Sequence, residues 1–299
     1  MRTTRSTAAG ANPYLILVVG VLAVSSAAIL VTLARAEGVP VLVIAALRMT
    51  IAAIVVVPIA LLRCREEIRA LGARDILLAL ASGILLALHF AFWFGSLDYT
   101  SVMSSVVFVS TNPLFVGLAS VLIFRERLGI ATVAGIVVAV IGGVVIGVGD
   151  CGHSGAQSLK GDVLALLGAV SVSGYLLIGR RLRKGMSLML YVGITYTTAA
   201  VALLSVLLMT SARLTGYPAG GYLWVVLLAA GPQLLGHSAY NWALKYVTAT
   251  LVTVALLAEP VGATLLAIAV LGQLPSIVSL MGGVCILTGI VLAARSEIV

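Results

Sequence analysis

Long apolar runs alternate with short polar breaks along the whole chain. Ten runs can be read, at about 14–34, 39–62, 76–97, 102–124 and 128–149 in the first half. The second half gives about 161–178, 187–210, 223–245, 250–272 and 276–294. A helix needs about 20 apolar residues to cross roughly 30 Å of hydrocarbon at 1.5 Å per residue, and most of the runs are near that length. Strict period-two alternation is absent, which argues against an outer-membrane barrel. The pattern predicts an all-α membrane protein with ten transmembrane helices. Arg2 and Arg5 precede the first run, and Ala34-Arg35-Ala36 after it resembles a signal-peptidase site. A signal peptide's apolar core is only about 7–15 residues long, so this longer run reads as a retained helix.

Composition agrees with the pattern. Of 299 residues, 62% are hydrophobic and 9% charged, with a mean hydropathy of +1.21. An ordinary soluble domain carries about 25% charged residues. A soluble enzyme, a disordered chain and a nucleic-acid binder are therefore excluded as expectations. Ten spans would use roughly 210 residues and leave about 8 for each loop or tail, too few for a separate soluble domain. The net charge of +8 reports orientation. With the N-terminus inside, fourteen of the 18 Lys and Arg fall on the cytoplasmic side. Arg35, Lys160 and Arg213 fall outside, and Arg48 lies within a span. This positive-inside bias predicts a multi-pass protein of the inner (plasma) membrane with both termini cytoplasmic. Cys64, Cys151 and Cys285 are too scattered to suggest a disulfide framework.

The halves repeat. His89 meets His237 at an offset of 148, and Pro113 meets Pro260 at 147. Gly135 meets Gly282 and Gly142 meets Gly289, also at 147. The common offset divides the chain into two five-helix copies, 1–152 and 153–299. Five is odd, so the second copy must enter the membrane from the opposite side. Inverted repeats of this kind build many secondary transporters, with the site at the repeat interface.

Short motifs carry a family resemblance. Ala46-Leu47-Arg48 lies in the second run, and Leu97-Asp98-Tyr99-Thr100-Ser101 follows the third. Asn112-Pro113 lies in the fourth, and Arg125-Glu126-Arg127-Leu128 follows it. The second copy has Ala243-Leu244-Lys245-Tyr246 and Ala258-Glu259-Pro260-Val261. The chain resembles an EamA-type transporter of the drug/metabolite transporter superfamily over essentially its whole length. The resemblance implies two five-helix copies and carriage of small metabolites, mostly amino acids and often outward. One departure is Gly272-Gln273, where the family often has Gly-Glu.

Polar groups inside the runs are the candidate site. An unpaired charge at the bilayer centre costs about 2.5–3.5 kcal/mol even on the lenient insertion scale. Arg48 and Glu259 sit near span centres. Glu259 is a candidate proton or substrate-amine site. Arg48 is either a substrate-carboxylate site or a structural group, paired with Glu259 or bonded to backbone carbonyls. His89 and His237 are repeat-related. Trp93 shares a face with His89, while Gln233, His237, Tyr240 and Asn241 share a stripe at i, i+4, i+7 and i+8. Such a stripe is costly against lipid and should line an interhelical cavity. Asn112 and Glu259 each precede a proline, which frees carbonyls in the preceding turn. The expected substrate site is thus His89, Trp93, Asn112, His237, Tyr240, Asn241 and Glu259.

Small residues four apart (Ala131, Gly135, Ala139, Gly143, Gly147; and Gly161, Ala165, Ala169, Ser173) predict close helix contacts, within each half or in a homodimer. No Walker A loop, zinc spacing, magnesium-diphosphate cluster or nucleophile elbow appears, so neither an enzyme nor a cofactor is expected. The expected activity is alternating-access transport, with proton coupling an option. The rivals are an exporter or flippase of hydrophobic drugs or lipids, and a haem-binding redox protein with His89 and His237 as axial ligands.

Overall fold

The structure, a computed structural model, describes residues 12–100, 105, 108–125, 129–149, 156–210, 212–271 and 277–295. Both termini, the 151–153 loop, Glu126 to Leu128 and Gln273 lie outside the described residues. Among the described residues every regular element is helical.

The first run becomes α1 (Pro13–Ser25) and α2 (Ala27–Ala36). Asn12 caps α1 by accepting the Tyr14 N–H at 2.9 Å, and Pro13 occupies the first turn. The break falls at Ser26, whose hydroxyl donates to the Ala23 carbonyl at 2.8 Å. Then follow α3 (Val41–Arg63), the short α4 (Arg65–Ala70) and α5 (Ala73–Ser96). Next come α6 (Asn112–Phe124) and α7 (Ile130–Gly149). The second half holds α8 (Ala156–Arg183), α9 (Leu188–Leu208) and α10 (Ala219–Leu228). A π-helical segment, Ala229–His237, joins α10 to α11 (Ser238–Ala243). The chain continues as α12 (Ala249–Leu256), α13 (Glu259–Leu271) and α14 (Ile277–Arg295).

Six stretches are long and apolar enough to cross a membrane: Pro13–Ala36, Val41–Arg63, Ala73–Ser96, Leu159–Arg183, Leu188–Leu208 and Ala219–Ala243. Four shorter apolar helices cover Asn112–Ile123, Ile130–Val145, Ala249–Ala263 and Leu280–Ala293. Two helices start at breaks that the run pattern does not show. The fourth run turns at Ser110 and Thr111, and α6 starts afresh at Asn112 with Pro113 in its first turn. The ninth turns at Leu257 and Ala258, and α13 starts at Glu259 with Pro260 next. Proline has no N–H and a fixed φ, so it suits the start of a helix, although Pro58 sits inside α3 and Pro232 inside the π segment.

The bundle holds a set of polar groups inside a largely apolar core and turns large apolar side chains outward. Arg48, Ser82, His89, Gln233, His237 and Asn241 are buried, whereas Ile54, Leu62, Leu77, Leu122 and Ile130 are exposed. The solvent that suits this surface is lipid.

Helix contacts follow one rule. The main pairs are α7 with α14, α5 with α8, α3 with α9, α5 with α9, and α1–α2 with α10–α11. Lesser pairs are α3 with α10 and the π segment, α6 with α8, α1 with α13, and α6 with α12. Exchanging the five runs of the first half with those of the second turns each of these pairs into itself or into another of them. The closest approach is at α7 and α14. A Cβ at Gly135 would fall 2.5 Å from the Gly289 carbonyl, and one at Gly142 would fall 2.6 Å from that of Gly282. These contacts run in opposite order along the two helices, so α7 and α14 are antiparallel.

This contact corrects the small-residue stripe of α7. Gly135, Ala139 and Gly142 form the face, whereas nothing lies within 4 Å of a Cβ at Gly143 and Ala131 is exposed. A helix advances about 100° per residue, so a strict spacing of four drifts off the seam that alternating steps of four and three follow. The contact joins the two halves of one chain, not helices within one half. The α8 stripe also joins halves. Gly161 meets Thr100, and the Ser173 hydroxyl donates to the Asn112 carbonyl at 3.2 Å.

Candidate functional site

Several helices converge near mid-bundle. On α5, His89 and Trp93 are one turn apart and stack, with ring centroids 5.6 Å apart and planes at 25°. The His89 Nδ1 is 3.0 Å from the Gly168 carbonyl of α8, and a Cβ at Gly168 would touch Trp93 at 3.4 Å. This glycine lets α8 close against the rings. On the opposite side the π segment ends at His237, whose ring meets Tyr240 at 5.8 Å and Phe90 at 5.5 Å. The starts of α6 and α13 supply Asn112 and Glu259.

These residues enclose a cavity of about 30 Å³. That is room for about two or three waters, far below the ~300–1,000 Å³ of ligand pockets. Six of the seven expected site residues line it: His89, Trp93, Asn112, His237, Tyr240 and Glu259. Val24, Val109, Ser110, Val172 and Leu256 complete the wall. Four pairs in this lining share the repeat offset of 147 or 148: Val24 with Val172, His89 with His237, Val109 with Leu256, and Asn112 with Glu259. The cavity therefore straddles the two halves.

Its walls carry unspent hydrogen-bonding capacity. Trp93 Nε1, Asn112 Oδ1, His237 Nδ1 and Tyr240 OH are buried without a hydrogen-bond partner. Leaving such a group unsatisfied costs about 1–3 kcal/mol. Glu259 is half-buried and makes no ion pair among the described residues. Two half-helix N-termini, at Asn112 and Glu259, add partial positive charge. Donors, acceptors, a carboxylate and four aromatic faces thus meet in one small space.

Asn241 does not join them. Its amide N–H groups bond the Tyr175 hydroxyl and the His237 carbonyl, the latter at 2.8 Å. Gln233 is also absent from the lining. The stripe that grouped them assumes 3.6 residues per turn, whereas a π segment closes i→i+5 bonds and has a wider turn. Gln233 instead meets Arg48, whose Nε donates to its Oε1 at 2.9 Å.

Arg48 departs from its expected ion pair. Its guanidinium is fully buried, with Cζ 4.2 Å from the Phe90 ring centroid, and Nη1 and Nη2 have no partner. Glu259 lies within electrostatic reach but beyond the 4.0 Å of an ion pair. Arg48 and His237 both contact the Phe90 ring. The sequence pattern gives Phe90 no role beyond being one of several aromatics on its helix. Nor does it single out the buried tyrosines Tyr175 and Tyr196; the Tyr196 hydroxyl contacts Ser238 at 3.1 Å.

Among the described residues no cluster of three or more His, Cys, Asp or Glu is arranged to hold a metal. The sequence profile of the EamA-like transporter family matches residues 12–148 and again 159–295. An uncharacterized transporter of Clostridium kluyveri is 25% identical over 257 residues, covering 83% of this chain and 81% of the relative. The uncharacterized transporter YdfC of Bacillus subtilis is 26% identical over 184 residues, covering 61% of this chain and 59% of the relative. A solved crystal structure superposes with a TM-score of 0.76 at 25% identity, covering 95% of this chain and 97% of that one.

Proposed function

This chain belongs to the EamA-like transporter family, and on that premise we propose that it is a ten-helix secondary transporter that exports small polar metabolites, amino acids and their relatives, by alternating access. The observation that carries the reading is the cavity. Its lining pairs residues of the two halves at the repeat offset, and its volume admits no metabolite until the halves move. The antiparallel meeting of repeat-equivalent glycines on α7 and α14 supports an inverted repeat, with its pseudo-two-fold axis in the membrane plane. A cavity on that axis can open to either side by rocking of one set of helices on the other.

The substrate class follows from the charges. Glu259 on the wall and Arg48 against Phe90 are a half-buried acid and a buried base in electrostatic reach of each other yet unpaired. A zwitterion with an ammonium and a carboxylate complements that arrangement better than a lipid or a neutral drug. Glu259 is also where a proton would be exchanged. Both termini are assigned to the cytoplasm, in the plasma membrane, from the basic residues. The test is counterflow in proteoliposomes against a panel of amino acids, amines, carboxylates and hydrophobic cations. Saturable exchange of an amino acid supports the reading; exchange confined to hydrophobic cations replaces it with the drug-export alternative.

A further inference from the structure

Two arginines occupy equivalent places at opposite ends of the bundle. Arg35 ends the first run and Arg183 ends the sixth, at the repeat offset of 148. The first and eighth runs are antiparallel, since Gly220 meets Glu37 and Gly20 meets Tyr240. Arg35 and Arg183 therefore stand on either side of the cavity. Each reaches the segment that follows a cavity-lining helix. Arg35 contacts the turn after α5, with Nη2 on Asp98 at 2.9 Å and Nη1 on the Leu97 carbonyl at 3.4 Å. Arg183 contacts the end of α11, with Nε donating to the Asn241 carbonyl at 3.0 Å, and its Nη1 donates to the Met186 carbonyl. Tyr246, the repeat equivalent of Asp98, lies within electrostatic reach of Arg183.

Leu97 and Asp98 follow the cavity residue Trp93 by about one turn, and Asn241 directly follows the cavity residue Tyr240. The Arg35 end is fastened further by Thr100, whose hydroxyl donates to Asp162 at 2.9 Å, and by Lys160 over the Tyr99 ring at 3.9 Å. The two ends differ in kind. The Arg35–Asp98 pair is 36% and 45% exposed, so water screens it. Arg183 is buried and bonds backbone carbonyls, so its contact is shielded from water.

We propose that Arg35 and Arg183 are reciprocal clasps that hold the cavity shut at its two ends, and that releasing one opens the cavity on its side. This rests on the alternating-access reading. Opening to one side then requires that clasp to part while the other holds, and the screened Arg35 clasp is the easier to part.

The test needs no substrate. A single cysteine, Val109→Cys on the cavity wall, is placed in a background with Cys64, Cys151 and Cys285 replaced. A membrane-impermeant maleimide is then applied from either side, to cells and to inverted vesicles. Arg35→Gln and, separately, Asp98→Asn should raise labelling from the Arg35 side by about 2- to 5-fold and lower it from the other. Arg183→Gln should do the reverse, by about tenfold. Arg183→Lys, which keeps the charge and loses the fork, should give a smaller shift in the same direction if the glutamine variant does not fold. Exchanging the partners, Arg35→Asp with Asp98→Arg, should restore the original sidedness. Labelling that rises equally from both sides, or does not change, overturns the clasps while leaving transport intact. A cysteine reached from neither side in any variant overturns alternating access as well.

Discussion

A guanidinium held in a membrane interior without a carboxylate must be offset by weaker groups. Arg48 has two, the Gln233 amide oxygen and the Phe90 face. Gln233→Leu removes the first and should lower stability in detergent by about 1–3 kcal/mol, read as a fall in the thermal midpoint. Adding Arg48→Met should recover most of it, because the stranded charge goes too. A double variant no more stable than the single one would show that Arg48 does not depend on Gln233. On the cavity wall, His89→Leu and His237→Leu should each reduce exchange at least tenfold with folded yield largely kept, a loss of about 1.4 kcal/mol or more in transition-state binding. Equal loss of yield would make them helix glue. Glu259→Gln keeps the shape and removes the proton site, so gradient-driven accumulation should vanish while substrate exchange persists. Retention of both would remove Glu259 from the mechanism. His89, His237, Asn112 and Glu259 are legible in the sequence because the repeat offset singles them out. The partner of Arg48 is not. An acid and a base near two span centres suggest each other, and the sequence holds no distance between them.

At the level of helices, the seam between α7 and α14 gives a controlled comparison. Gly142 and Gly143 are adjacent, yet only Gly142 faces the opposing backbone. Gly142→Ala should cost about 1–3 kcal/mol through overpacking. Gly143→Ala should be neutral or gain up to about 1 kcal/mol from helix propensity. Thermal midpoints of the two purified variants decide; equal values would contradict the crossing described. Periodicity locates the helices well where they are regular. It fails at the π segment, where one wider turn carries Gln233 away from the cavity and leaves Asn241 bonded to Tyr175. It also misses the helix breaks before Asn112 and Glu259, since an apolar run looks the same whether one helix or two halves fill it. The prolines mark the places, and the fold supplies the turns.

For the molecule as a whole, the excess of Lys and Arg on alternate loops sets the expected orientation. An impermeant thiol reagent on intact spheroplasts should label Cys151 before Cys64, and labelling of Cys64 alone would invert the topology. The halves are legible from four coincidences of offset. Their mutual placement is not, because helix contacts between residues about 150 positions apart leave no local pattern. The contact set that maps onto itself when the halves are exchanged supplies it. The central claim is that the small cavity on that shared seam is the path of the substrate. Protection of Val109→Cys from maleimide by a substrate that exchanges in proteoliposomes measures this directly. The account predicts slower labelling with a concentration dependence matching half-saturation of exchange; unchanged labelling at saturating substrate would contradict it.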